Sequence, residues 1–124
     1  MIEILKPDFT FEDERGSLVQ LVHDGFHQVN VTTAKKGSVR GGHYHKVNRE
    51  AFYIVAGEVE LQLRRGAEEE HHVFSKGDMF LIPPMTLHDF VFREDTVFVS
   101  MYDQGVEFSD GTKDIYRNEV VEQS

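Results

Sequence analysis

His43, His45, Glu50 and His88 are the residues of this chain whose types and spacing best fit chemistry. His43 and His45 are two apart, so on a strand both rings leave the same face. Three neutral imidazoles and one carboxylate suit a divalent transition ion such as Zn²⁺, Mn²⁺, Fe²⁺ or Ni²⁺, and the donor set does not choose among them. Four protein ligands would leave one or two coordination positions open. A substrate carbonyl there would be polarised, which lowers the cost of removing a proton from the neighbouring carbon. The same groups also support a reaction without metal. One of His43 and His45 then acts as general base while Glu50 fixes a tautomer.

For these groups to meet, two distant segments must converge. The first runs from Gly37 to Gly57 and the second from Gly77 to His88. Alternation places Glu50, Phe52 and Ile54 on one face and His88, Phe90 and Phe92 on another. With Leu61 and Leu63 these form an apolar wall around a polar centre, a setting that suits a small ligand. Tyr44 and Tyr53 fall on the opposite faces and are discounted as acids.

Period-two patterning runs through most of the chain, interrupted about every ten residues by Gly, Asp, Lys or Pro. Strands are predicted around Phe9 and Phe11, over 17–22, 26–33, 50–56, 80–82, 87–92 and 96–102. Gly57-Glu58 reads as a hairpin turn, with Val59, Leu61 and Leu63 on the returning strand. Residues 64–72 read as a polar loop, with His71 and His72 in a solvated charge run. His23 and His27 are read as surface residues, and Asp89 as exposed. Gln28 and Asn30 lie on a strand whose inward parity the pattern leaves open. A polar tail occupies 104–124, and it would either pack on the barrel edge or cover its mouth. The expectation is an all-β fold in one domain spanning 1–124, with a barrel core over about 8–103.

The chain has 124 residues, with ten Phe, four Tyr and no Trp or Cys, and a formal charge of −9. That length matches one core. Lack of cysteine excludes disulfides and thiolate chemistry, and the acidity disfavours nucleic acid and anionic membrane as partners. No apolar run approaches the roughly 20 residues of a membrane span, and the N-terminal residues lack the pattern of a signal peptide. A soluble cytoplasmic protein is expected. Open edges on so small a barrel lead us to expect a homodimer formed by strand exchange or sheet pairing.

The two segments resemble the paired motifs of the cupin superfamily. Gly37, His43, His45, Glu50 and Gly57 fill the first, and Gly77, Pro83 and His88 match the second, where Met85 replaces a Gly and Phe92 an Asn. The resemblance implies a single small jelly-roll-like barrel. A finer likeness lies in residues 13–18 and 36–43, which are similar to small cupins that isomerise or epimerise nucleotide-linked keto sugars. These include 3,4-ketoisomerases, 3,5-epimerases and the cupin domain of capsule-biosynthesis enzymes. That likeness implies Arg40 as a substrate contact and His43 as a catalytic residue, with a nucleotide sugar as substrate. Ketoisomerases of this kind are compatible with metal-free work, so both chemistries stay open. Two other readings remain: an Fe- or Mn-dependent cupin dioxygenase, and a cupin that binds or senses a small molecule without turnover.

Overall fold

In the computed structural model, residues 1–117 are described, and these contain strands and turns with no helix. The strands are β1 (Glu3–Leu5), β2 (Phe9–Asp13), β3 (Gly16–Gln20), β4 (Gln28–Ala34), β5 (Val39–Tyr44) and β6 (Glu50–Ala56). They continue with β7 (Glu58–Arg65), β8 (Glu68–Ser75), β9 (Met79–Ile82), β10 (Leu87–Phe92), β11 (Thr96–Tyr102) and β12 (Tyr116–Arg117). One antiparallel sheet has the order β1-β9-β6-β11-β4 and faces a second of order β12-β5-β10-β7-β8. β2 and β3 form a separate hairpin. The fold is the all-β, jelly-roll-like cupin architecture.

Between the sheets, aromatic side chains fill one half of the interior. Phe74 stacks on Phe80 with centroids 4.1 Å apart, and Phe80 on Phe52 at 5.1 Å. Phe92 and Phe98 stack at 5.8 Å, and Val59, Leu61, Leu63 and Ile82 complete the layer. Offset and edge contacts between these rings add to the stabilisation from their buried area. Phe92, at the position where the cupin motif has Asn, is 1% exposed and belongs to this core. A second apolar layer on the outer face of the first sheet comprises Ala51, Met79, Leu81 and Met101, with Leu21, Val22 and Phe26 packed over them.

Several elements differ from the sequence reading. Gly57 does not turn a hairpin: β6 pairs with β9 and β11, whereas β7 pairs with β8 and β10. Gly57, at φ 101°, carries the chain from one sheet to the other, and a Cβ there would lie 2.4 Å from Thr96 Oγ1. Glycine is needed at that approach. Residues 64–72 are not a loop either, because β7 and β8 pair through to Arg65↔Glu68 across a two-residue turn at Gly66-Ala67. β8 is an edge strand with charged residues on much of its length, so burial leaves little periodic signal there. Leu21, Val22 and Phe26 leave the strand pattern to cap the outer apolar layer. At the other end, β12 adds to the edge of β5, so the described part of the tail packs on the sheet edge. Residues 118–124 of that tail lie outside the described residues.

Candidate active site

β5 reaches the interior through an irregularity that alternation alone would miss. Residues 40 and 43 have opposite parity, yet His43 pairs with His88 and Arg40 with Phe90, both inward-facing positions of β10. The pairing slips by one residue between His88 and Asp89, at Gly41 and Gly42. Both glycines have positive φ, 124° and 71°, as a bulge demands. The bulge turns Arg40 to the same side as His43. Exposed at the rim, Arg40 has its charge close enough to act on the Tyr102 hydroxyl.

The three imidazoles gather beneath it. Ring centroids are 4.8 Å apart for His43–His88, 5.4 Å for His43–His45 and 5.7 Å for His45–His88. One nitrogen from each lies within 4.8 Å of the others. Glu50, 3% exposed, has its Oε1 at 3.0 Å from His45 Nε2 and 3.7 Å from His88 Nε2. His45 Nδ1 donates to the Asp114 carbonyl at 2.5 Å, and His88 Nδ1 to the Thr86 carbonyl at 3.1 Å. Those donations leave both Nε2 atoms directed at the common centre, an orientation that fits a bound divalent ion.

Without an ion, the protonation states divide. Burial opposes charge on His45, but the hydrogen bond and charge of Glu50 and the Asp114 carbonyl outweigh it and raise its pKa. Its Nε2 is hydrogen-bonded to Glu50 Oε1, and that contact favours the protonated ring. Burial, reinforced by His88 and His45, lowers His43 to about 4. His88, almost wholly buried, is also lowered, mainly by burial. His43 is thus a neutral, half-buried ring beside the buried, hydrogen-bonded His45–Glu50 pair.

Tyr102 is a site residue that the sequence reading did not single out. It stands opposite Glu50 in the β6–β11 register, and its ring meets His45 edge-on at 5.3 Å. Burial, then the charge of Glu50 and the hydrogen bond to it, raises the hydroxyl above its ordinary value, so it remains a donor. Alternation along β11 puts Phe98, Ser100 and Tyr102 on one face, and the β6–β11 register is what brings Tyr102 to Glu50. The β11–β4 register also settles the parity of β4, since Gln28 and Asn30 pair with Tyr102 and Ser100 and share their inward side. Tyr44 stacks on Tyr116 and Tyr53 packs in the outer apolar layer, both away from the imidazoles. His71 pairs with Glu60 on the exterior, whereas His72, read from sequence as solvated, is half-buried, pairs with Glu70 and stacks on Phe74 at 5.6 Å.

Met85 carries a feature that the motif departure foreshadowed. Where the cupin pattern has Gly, Met85 adopts φ 64°, and its N–H donates to the His45 carbonyl at 2.7 Å. A non-glycine residue in this region stores about 1–3 kcal/mol of backbone strain.

Comparison with known proteins follows the same line. Residues 11–116 match the family described as the polysaccharide biosynthesis C-terminal domain. No curated protein matches the chain by sequence. Among solved structures, a point mutant of the 3,4-ketoisomerase QdtA from Thermoanaerobacterium thermosaccharolyticum, in complex with TDP-4-keto-6-deoxyglucose, is similar. Its TM-score is 0.79 at 19% identity, over 97% of this chain and 89% of that one. The TDP-quinovose 3,4-ketoisomerase WlaRB from Campylobacter jejuni gives 0.81 at 16% identity, over 97% and 95%. A dTDP-4-dehydrorhamnose 3,5-epimerase from Sulfolobus tokodaii gives 0.70 at 21% identity, over 82% and 69%. At these identities the likeness establishes the shared fold.

Proposed function

Because this chain belongs to the polysaccharide biosynthesis C-terminal domain family, we propose that it is an enzyme isomerising or epimerising a keto sugar carried on a nucleotide. The observation that carries this reading is a neutral His43 beside the buried His45–Glu50 pair, with Arg40 at the rim. The fold shared with nucleotide-sugar ketoisomerases and an epimerase supports it.

His43 takes the proton from the carbon next to the sugar carbonyl. The electron pair left behind enters the C–C bond and moves onto the carbonyl oxygen, giving an enediolate. In an isomerisation the neighbouring hydroxyl's proton passes to the former carbonyl oxygen, and His43, now protonated, returns its proton to the former carbonyl carbon, so that a new carbonyl forms where the proton was first taken. In an epimerisation another donor protonates the opposite face of the first carbon. His45 commits both ring N–H groups to Asp114 and Glu50, so its part is charge and orientation. Fixed charge in a dry site stabilises a developing oxyanion without reorganisation. Arg40 holds the nucleotide phosphates at the mouth. His43, His45, His88 and Glu50 would hold a divalent ion, which when bound polarises the substrate carbonyl.

The protein works as a homodimer in this reading. Among the described residues the β2–β3 hairpin pairs with neither sheet, and Phe9, Phe11 and Leu18 are 49%, 53% and 53% exposed. β4 ends the first sheet with Val29 and Val31 59% and 71% exposed. Two unpaired features of this kind match the needs of strand pairing between copies. No described helix is long and apolar enough to cross a membrane, and a cytoplasmic site of action accords with a nucleotide-sugar substrate.

Incubation with TDP-4-keto-6-deoxyglucose in D₂O tests the reading. Wild-type protein is expected to wash deuterium into the carbon beside the carbonyl, and His43→Asn to lose this by about 10²–10⁴-fold. Failure of the wild type to exchange or transform any nucleotide-linked keto sugar refutes it, and oxygen uptake with such a substrate would favour the dioxygenase. Elemental analysis of protein purified without chelator decides whether a metal takes part.

A further inference from the structure

His45 lies one residue beyond the end of β5, so no sheet ladder holds its ring in place. Its orientation depends on two partners, Glu50 Oε1 at Nε2 and the Asp114 carbonyl at Nδ1. The second belongs to the segment after β11, outside both sheets. That segment is held by the Asp114 N–H donating to the Val106 carbonyl at 2.8 Å and by the β12–β5 pairing that follows, and closest to the ring by the side chain of Asp114 itself. Asp114 is 0% exposed, and its Oδ1 accepts Lys46 N–H at 2.8 Å. Its Oδ2 accepts Val47 N–H at 3.1 Å, Asn48 N–H at 2.9 Å and Asn48 Nδ2 at 2.9 Å. Successive backbone N–H groups of the β5–β6 connection therefore close on one carboxylate, a concave arrangement that selects an anion.

Asn48, 1% exposed, binds the segment from the other side. Its Nδ2 donates to the Gly105 carbonyl at 2.9 Å, and its Oδ1 accepts Gln104 and Gly105 N–H at 3.0 and 2.9 Å. Loop and segment are locked to each other with every buried side-chain polar atom satisfied among the described residues. We infer that Asp114, working with Asn48, is a positioning residue that fixes the ring of His45 and thereby the His45–Glu50 pair. This rests on the proposed proton transfer for its kinetic consequence, but not for the geometry. A role confined to anchoring the tail would leave His45 unchanged, and the two are separable.

The experiment compares Asp114→Ala and Asp114→Asn with Asp103→Ala. Asp103 Oδ1 caps Arg49 N–H at the far end of the same connection without touching His45. ¹H–¹⁵N spectra read the His45 ring, and deuterium exchange into TDP-4-keto-6-deoxyglucose reads turnover. Both Asp114 variants should lose the protected His45 Nδ1–H signal and lower kcat by about 10–100-fold with KM changed less than about twofold. Asp103→Ala should retain signal and kcat. Asn48→Ser, which leaves Asp114 in place, serves as a second variant if the Asp114 substitutions fail to fold, and it should weaken the same signal. A folded Asp114 variant with the His45 signal and kcat intact overturns the inference, as does an equal loss in Asp103→Ala. If wild type exchanges no substrate, the functional reading fails, while the His45 spectrum still decides this one.

Discussion

At the scale of single residues, two histidines a few ångströms apart carry opposite protonation preferences. His43 is pushed down to about 4 and His45 is pushed up, because one meets burial and like charge while the other meets Glu50. In chelator-treated protein, activity that needs neutral His43 should persist through mild acid and fall as pH drops through about 4. Stability follows both groups. The His45 contribution is complete below its unfolded value near 6.5 and is lost as pH rises through its higher folded value. The His43 contribution is complete above 6.5 and declines as pH falls toward about 4. Urea titrations of metal-free protein should therefore place maximum stability close to neutrality. A maximum shifted well into acid would contradict the assigned charges. That His43, His45, Glu50 and His88 come together was legible from residue type and spacing. Tyr102, Asn48 and Asp114 were not, since tyrosine, asparagine and aspartate on a strand, loop and tail are common and only tertiary contact distinguishes them.

Among the elements, β5 shows where pattern reading succeeds and where it stops. His43 and His45 share a face by simple alternation, but Arg40 joins them only through the extra residue at Gly41-Gly42. Consecutive glycines signal permissive backbone, and they do not state that the register slips. Gly41→Ala would put a Cβ 2.4 Å from the His88 carbonyl oxygen and 2.9 Å from Asp89 Cα, in a left-handed conformation. Backbone atoms cannot yield cheaply at that distance. The expected outcome is a loss of several kcal/mol in unfolding free energy, on the scale of overpacking plus strain. If the variant stays folded, KM for a nucleotide sugar should rise as Arg40 turns away, with unchanged KM and stability counting against the bulge's role. Strands 50–56, 87–92 and 96–102 were readable to the residue because each buries one face in the aromatic core. β8 was read as loop because its charged edge hides the alternation, and the Gly57 corner was read as hairpin because a turn residue does not reveal which sheet the next strand joins.

For the whole molecule, the β2–β3 hairpin and the β4 edge, unpaired among the described residues, are the features on which the proposed homodimer rests. Phe11→Glu with Leu18→Lys on the hairpin should convert dimer to monomer in light-scattering measurements while the circular dichroism of the barrel is retained. A wild type that is monomeric at micromolar concentration would remove that part of the reading. The all-β class and cupin architecture were visible beforehand because the paired motifs span the strands that build the interior. The partition of strands between two sheets was hidden, since it depends on contacts between remote segments. That remoteness has a consequence during synthesis. Among the described residues, β4 (Gln28–Ala34) has its one sheet neighbour in β11 (Thr96–Tyr102), so it leaves the ribosome long before that partner exists. Until then, a nascent strand bearing Val29 and Val31 remains open to wrong neighbours, and slow, chaperone-sensitive maturation is the natural result of this wiring.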